Sequence, residues 1–250
     1  MAGTRKNRRR RRGRFSGFLK LVAFVVALAA MAWAVTLFFR MDHIAVNGNE
    51  RYSEQEVIDA SGLKLGSNLY LINKFDVKER IFALLPYVEE IRINRKLPDT
   101  MLLEVRECKA AAGIESEEGF WLISDQGKLL EMADAPPEGC PAVAGVPLIE
   151  PEATTQINFG EQAAYRAGVM LTLLQESDAR NMRAGIGVIN ISDDTALSFT
   201  YLGRFTVRMP WTAEIGYKLE SLSTVVDYLE NNETGRIDLM TEGKASFIPE

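Results

Sequence analysis

Residues 21–39 read LVAFVVALAAMAWAVTLFF, nineteen consecutive residues without a charged side chain. A helix of this length spans about 28 Å, close to the roughly 30 Å thickness of the hydrocarbon core of a bilayer. Apolar side chains surround the whole helix, so it lacks the polar face of a helix that packs on the core of a soluble protein. The stretch therefore predicts one transmembrane helix at 21–39.

The residues before this stretch predict its orientation. Residues 1–40 contain ten Lys or Arg residues, among them the run Arg8–Arg12, and no acidic residue. Positive charges collect on the cytoplasmic side of membrane helices. We therefore expect residues 1–20 to form a basic cytoplasmic tail. Everything after Arg40 is then expected outside the cytoplasmic membrane, in a single-pass arrangement.

A cleaved signal peptide is the alternative interpretation of this segment. Ala27-Leu28-Ala29 and Ala32-Trp33-Ala34 place small residues at the spacing that a signal peptidase uses. Signal peptides usually have a shorter apolar region, of about 7–15 residues. The run is longer here and no polar residue precedes either site, so the sequence favours the uncleaved anchor.

The charges of the chain are unevenly distributed. Residues 41–250 carry 19 of the 29 Lys and Arg residues and all 34 Asp and Glu residues, a net charge of −15. A basic tail beside a bilayer binds anionic lipid, at about 1 kcal/mol per basic residue. No aromatic or groove-reading motif accompanies the arginines, so we expect the membrane as the partner of the tail and no nucleic acid.

The segment after Arg40 begins with a strand and a short helix. His43–Val46 are placed to form a half-buried strand, and Gly48-Asn49 follow with the chemistry of a turn. Ser53–Glu56 have the pattern of a capping box at a helix N-terminus. Gly62 is placed to end that helix.

A second helix and two strands follow. Pro86 ends a run of apolar residues with the spacing of an amphipathic helix, namely Val77, Ile81, Leu84 and Leu85. Apolar and polar residues then alternate at 91–94 and again around Leu103 and Val105, with a turn at 96–100 between them. The unit from 43 to 107 is therefore predicted as β-α-α-β-β.

After Ala110 the sequence predicts a mixed sheet with two long helices. Residues 120–130 form a hairpin around Gly127, and a Pro- and Gly-rich loop covers 136–147. Apolar residues recur at helical spacing in 162–177 and 215–229. The remaining strands are predicted at 187–191, 196–201, 205–208, 236–240 and 244–248.

The order of these motifs resembles a POTRA domain, and more narrowly the FtsQ/DivIB family of bacterial cell-division proteins. The residues that carry the resemblance are Asn47-Gly48-Asn49, Asn68-Leu69, Leu85-Pro86, Val88, Arg95–Thr100 and Val105-Arg106-Glu107. In the second half, Gly235-x-Ile237-Asp238-Leu239 and Ala245-x-Phe247 are similar to the terminal strands of the family. The resemblance implies an α+β fold, with a POTRA domain at 41–109 and an FtsQ/DivIB-type β-domain at 110–250.

The resemblance also implies a function. Members of this family are membrane-anchored scaffolds of the divisome that bind FtsB/DivIC and FtsL and help control septal peptidoglycan synthesis. We accordingly expect FtsB/DivIC-like and FtsL-like partners, peptidoglycan as a candidate further partner, and a location at the division septum in the cytoplasmic membrane.

The last strands are the expected binding region for a partner. A strand at the edge of a sheet has unpaired N–H and C=O groups that a partner segment can extend. The expected contact residues are Ile237, Leu239, Lys244, Ala245, Ser246, Phe247 and Ile248. Core packing against the second long helix is an equal alternative for any one of them.

Residues suited to catalysis are scarce. His43 is the only histidine, and Cys108 and Cys140 are the only cysteines, too far apart in sequence for a zinc-binding cluster. A bridge between the two cysteines and a pair of free thiols both remain open. Adjacent carboxylates such as Asp193-Asp194 point to opposite faces of a strand. We expect no catalytic residue, cofactor or metal; a membrane-anchored enzyme acting on peptidoglycan is the alternative function.

Overall fold

The computed structural model describes residues 12–249. They form two compact units. The N-terminal unit contains the described residues of Met1–Arg80 together with Ile91–Val105. The C-terminal unit contains Ile81–Glu90 and the described residues of Arg106–Glu250. In this division Ile81–Glu90 and residues 106–109 group with the C-terminal unit, and the boundary at 109/110 stays a prediction.

The described residues form five α-helices and twelve strands. The helices are α1 (Arg12–Phe38), α2 (Glu54–Ser61), α3 (Lys74–Leu84), α4 (Ala164–Ala179) and α5 (Ile215–Tyr228). The first six strands are β1 (His43–Asn47), β2 (Val88–Lys96), β3 (Thr100–Glu107), β4 (Ala112–Ser116), β5 (Gly119–Ile123) and β6 (Leu129–Ala133). The others are β7 (Ala142–Ala144), β8 (Ile186–Asn190), β9 (Ala196–Tyr201), β10 (Phe205–Pro210), β11 (Gly235–Asp238) and β12 (Ser246–Pro249).

The first sheet confirms the predicted β-α-α-β-β unit. Its strands lie in the order β1-β3-β2, and β1 runs parallel to β3 with His43 opposite Thr100 and Asn47 opposite Glu104. Apolar side chains of the sheet and of α2 are buried, among them Val57, Ile91 and Leu103. The four apolar residues that the alternation predicted as inward-facing, Ile91, Ile93, Leu103 and Val105, are all buried.

The capping box predicted for α2 is present. The Ser53 hydroxyl accepts a hydrogen bond from the backbone N–H of Glu56, and the Glu56 carboxylate accepts one from the backbone N–H of Ser53 at 2.8 Å. The Ser53 hydroxyl also donates to this carboxylate at 2.7 Å, and this bond, followed by the one from the Ser53 backbone N–H, lowers the pKa of Glu56. At the other end, Gly62 has φ +64° and ends the helix as predicted.

The second sheet has nine strands in the order β12-β11-β10-β9-β8-β7-β4-β5-β6. Parallel neighbours cannot be joined by a tight turn and need a crossover. The helix α4 lies in sequence between the parallel strands β7 and β8, and α5 lies between the parallel strands β10 and β11. Both helices bury side chains in one core with the sheet, among them Met170, Leu173, Leu219, Phe199 and Val207.

One strand of this sheet lies where the sequence predicted only a loop. The segment 136–147 contains β7, which pairs with β4 on one side and β8 on the other. Three residues, Ala-Val-Ala, are too few to show an alternating pattern, so neighbouring strands decide their conformation. The C-terminal helix also ends one residue earlier than predicted, because Leu229 is its C-cap and adopts extended dihedral angles.

The two cysteines are free thiols. Burial raises the pKa of both Cys108 and Cys140, so the neutral thiol is favoured. The possible bridge between them is therefore not formed in this structure.

The predicted anchor falls on α1, and the first eleven residues of the predicted basic tail lie outside the described residues. Over residues 12–249, the structure has no helix that combines the length and the apolar character needed to cross a membrane. The transmembrane helix at 21–39 stays a prediction.

The Gly48 turn that closes β1 gives the first testable prediction. Gly48 has φ +81°, and a Cβ atom there would collide with the carbonyl oxygen of Val105. We expect Gly48→Ala to lower the free energy of unfolding by about 2–4 kcal/mol, measured by denaturant unfolding of the full chain. Gly62→Ala is the control, because its Cβ would meet only the flexible side chain of Arg80. Equal losses for the two variants would contradict the role of the Val105 contact.

Candidate partner-binding edge

The strand β12 forms one edge of the nine-stranded sheet, as the sequence predicted. It pairs antiparallel with β11, with Ile248 opposite Arg236 and Phe247 opposite Ile237. In the described part of the chain, no backbone group pairs with β12 on its outer side. The outward N–H and C=O groups of the strand are thus available for another strand.

The opposite edge of the sheet, formed by β6, is partly covered. On the side away from β5, the N–H of Leu129 donates to the carbonyl of Thr155 at 2.8 Å. The carbonyl of Leu129 accepts from the N–H of Thr154 at 2.8 Å, and Lys128 forms an isolated bridge with Gln156. Because the start of β6 already has partners, β12 is the more open of the two edges.

The side chains of β12 combine packing with exposure. Phe247 is half-buried and contacts the Phe205 ring edge-to-face, with 6.0 Å between the ring centroids. The guanidinium carbon of Arg204 lies 4.5 Å from the centroid of the Phe205 ring. Ile248 is 50% exposed, and Ser246 is half-buried. The strand is therefore held to the core through Phe247 and presents Ile248 to solvent.

Two of the predicted contact residues are core residues instead. Ile237 and Leu239 are fully buried in the core that the sheet forms with α4 and α5, so their side chains cannot meet a partner. For both residues this burial fits the alternative that the sequence left open, which is core packing. In an alternating strand, sequence shows which residues share a face but not which face is covered.

The remaining predicted residues lie at the edge. Ser246, Phe247 and Ile248 belong to β12, whereas Lys244 and Ala245 come before it. Lys244 is exposed and Ala245 is half-buried against the core. The structure brings these five residues together along one strand and the turn that leads to it.

Lys218 supports this edge, and the sequence analysis missed it. Its residue is only 5% exposed, and its Nζ donates to the carbonyl of Thr241 at 2.8 Å. The bond ties α5 to the connection between β11 and β12. The sequence does indicate that Lys218 is buried. It is three residues after Ile215 and four before Leu222, which places it on the apolar face of the helix.

A groove adjoins this connection. Its volume is about 720 Å³, and it lies between the start of α5 and the turn that precedes β12. Its walls include Tyr217, Lys218, Met240 and Glu242. The groove therefore lies beside the connection that leads into β12.

Metal-binding groups are not clustered in the part of the chain that the structure describes. No set of three or more His, Cys, Asp or Glu side chains lies within reach of one ion in residues 12–249.

Comparison with known proteins identifies a POTRA domain in the first half of the chain. Residues 39–108 match the family model of the FtsQ-type POTRA domain. The chain is also 30% identical over 123 residues to the cell division protein DivIB of Clostridium botulinum, covering 49% of this chain and 48% of that protein. It is 30% identical over 125 residues to the cell division protein FtsQ of Corynebacterium glutamicum, covering 50% and 55%.

A longer match reaches into the second unit. The chain is 24% identical over 235 residues to the cell division protein FtsQ of Syntrophotalea carbinolica, covering 88% of this chain and 81% of that protein. Together with the FtsQ-type POTRA domain, these matches make the chain similar to the cell division proteins named FtsQ and DivIB. The matches to the Clostridium botulinum and Corynebacterium glutamicum proteins span about half the length of those relatives.

The Lys218 bond gives a prediction about the edge. In Lys218→Met the carbonyl of Thr241 loses its buried donor, which costs about 1–3 kcal/mol. We expect amide hydrogen exchange in β11 and β12 to accelerate by about tenfold, while exchange in β4 and β5 stays unchanged. Lys244→Met is the matched control, because this lysine is exposed. Unchanged protection of β12 in Lys218→Met would show that the bond does not stabilise the edge.

Proposed function

We propose that this protein is a non-enzymatic scaffold of bacterial cell division, which binds an FtsB/DivIC-like protein by adding a strand of that protein to β12. The supporting observation is the open outer side of β12, whereas the chain itself covers part of the opposite edge, β6. Its relatives are named as cell division proteins.

Strand addition explains how such an edge would select a partner. Main-chain hydrogen bonds supply affinity for any extended segment, and specificity comes from pockets for alternate side chains. Here Ile248 offers an exposed apolar contact, and the groove beside Tyr217 and Met240 offers a place for a larger side chain. An FtsL-like protein would join the complex, and through it the chain would help control septal peptidoglycan synthesis.

The proposal includes membrane anchoring. The nineteen uncharged residues at 21–39 and the basic residues before them support a helix that crosses the cytoplasmic membrane with its N-terminus inside. The two units would then lie outside, at the division septum, where their acidic surfaces meet the outer parts of other division proteins.

The exposed residue of β12 provides the central test. Ile248→Asp places a charge at the proposed contact without removing core packing, since the side chain is half exposed. We expect capture of the FtsB/DivIC-like protein of the same cell by the full chain to weaken by about tenfold or more. The measurement is an affinity titration of the purified, membrane-reconstituted proteins.

Two matched controls separate this edge from the rest of the sheet. Val188 is 43% exposed on β8, an interior strand that cannot accept another strand, so Val188→Asp is expected to bind normally. Met132 is exposed on β6, the other edge. Normal binding by Ile248→Asp together with a loss in Met132→Asp would move the partner to β6 and refute the proposal for β12.

The orientation of the chain is testable independently. With β-lactamase fused after Glu250, cells should resist an externally added β-lactam only if the two units lie outside the cytoplasm. We expect resistance from the full chain. Deleting residues 5–12, which removes most of the basic charge before the helix, should reduce it by misorienting part of the protein. Complete sensitivity of cells that contain the intact fusion would contradict the anchored arrangement.

A further inference from the structure

Exposed apolar side chains cluster on one loop of the N-terminal unit. Between α2 and α3, Leu65 is 64% exposed and Leu71 is 80% exposed, and Tyr70 is also exposed. Large apolar side chains grouped on a surface are uncommon on soluble monomers and mark contact sites. We call residues 64–71 the apolar loop.

The apolar loop is fastened to the residues that directly follow α1. The N–H of Leu69 donates to the carbonyl of Phe39 at 3.0 Å, and the N–H of Met41 donates to the carbonyl of Ser67 at 2.8 Å. The N–H of Gly66 donates to the carbonyl of Met41 at 2.8 Å. The loop is thus held, through backbone bonds, at the end of the proposed membrane helix.

Ring contacts fix the depth of the loop relative to that helix. The rings of Phe39 and Tyr70 meet edge-to-face with 5.0 Å between their centroids. Arg95 holds the loop from the other side, because its Nε donates to the carbonyl of Leu69 at 2.6 Å and its guanidinium lies 5.6 Å from the Tyr70 ring. If Phe39 lies where the helix leaves the bilayer, Tyr70 lies at the same level.

A third exposed leucine lies on another loop of the same unit. The turn between β2 and β3 contains Leu97, which is exposed. The N–H of Asp42 donates to the carbonyl of Asp99 at 2.9 Å, so this turn is also joined to the residues that follow α1. The turn that contains Leu97 and the apolar loop are therefore both joined to the residues that directly follow α1.

The charges around these leucines are mixed, with basic residues next to them in sequence. Lys64 precedes Leu65 and Lys96 precedes Leu97, and both lysines are exposed. Arg40 is exposed and its Nε donates to the carbonyl of Gly66 at 3.3 Å. Asp42 is exposed at the same end and Asp99 is half-buried. Apolar tips beside lysines are typical of surfaces that enter the headgroup region of a bilayer.

We propose that Leu65, Tyr70, Leu71 and Leu97 insert into the outer interface of the bilayer around the exit of α1, with Lys64 and Lys96 facing the lipid phosphates. The partner is the surface of an anionic phospholipid bilayer. The contact would fix the orientation of the N-terminal unit against the membrane. This inference rests on the proposed anchor, because only the anchor brings a bilayer to this end of the unit.

Depth-dependent fluorescence quenching of the full chain tests the proposal. The protein, with Cys108→Ser and Cys140→Ser, is reconstituted in phosphatidylcholine/phosphatidylglycerol vesicles and labelled with the fluorophore NBD at one introduced cysteine. In Leu71→Cys and Leu97→Cys we expect blue-shifted emission and strong quenching by lipids that carry a doxyl group near the headgroup. In Glu54→Cys, at the start of α2, we expect the emission of a water-exposed label and no such quenching.

A third label separates failure of this inference from failure of the anchor. Leu28→Cys reports on the middle of the proposed membrane helix. Quenching of the Leu28 label by deep doxyl groups, without quenching at Leu71 and Leu97, would overturn the interfacial contact and leave the anchor intact. A Leu28 label without lipid quenching would refute the anchor and the inference together.

Two further outcomes concern the source of the contact. Blue-shifted emission at Leu71 without quenching by any lipid would show that a second copy of the chain covers the loop, which overturns the proposal. Replacing Lys64 and Lys96 by Glu is expected to reduce the quenching at Leu71 in vesicles containing phosphatidylglycerol. The same reduction in vesicles of phosphatidylcholine alone would contradict the role assigned to the two lysines with anionic lipid.

Discussion

Backbone hydrogen bonding at the ends of an open sheet is the constraint on which this structure depends. A nine-stranded sheet that does not close leaves two edges with outward N–H and C=O groups. The chain supplies partners for the start of one edge, at β6, from Thr154 and Thr155. At β12 the described chain supplies none, so this edge is kept available. The strand addition proposed above would use this edge.

The position of β12 follows from the way the last helix connects the sheet. The strands β10 and β11 are parallel, so α5 must cross over the sheet between them, and β12 then returns by a short connection to the outside of β11. Lys218 of α5 reaches back to Thr241 in that connection, and Phe247 packs on Phe205. The edge is exposed for hydrogen bonding and is nevertheless supported by the core, which limits the conformational entropy lost on binding.

Hydrogen bonds to the backbone also hold exposed residues in place in the N-terminal unit, at the end of α1. Backbone bonds from residues 39–42 hold two loops beside the end of α1, and Arg95 fixes the larger loop from within the unit. Membrane contact next to the helix and partner contact at β12 would then use separate surfaces of separate units.

The sequence by itself determined the elements whose signals are local. The capping box at Ser53, the Gly62 cap, the alternation of β2 and β3 and the apolar face of α5 all predicted observed elements, because each depends on neighbouring residues. The place of β12 as an edge strand was also correctly predicted. Only the tertiary structure decided that β7 joins the sheet, that Ile237 and Leu239 are core residues, that Lys218 supports the edge, and that the apolar loop lies beside α1. These features depend on pairing and burial between residues that are distant in sequence. A local sequence pattern does not show which distant residues it will contact.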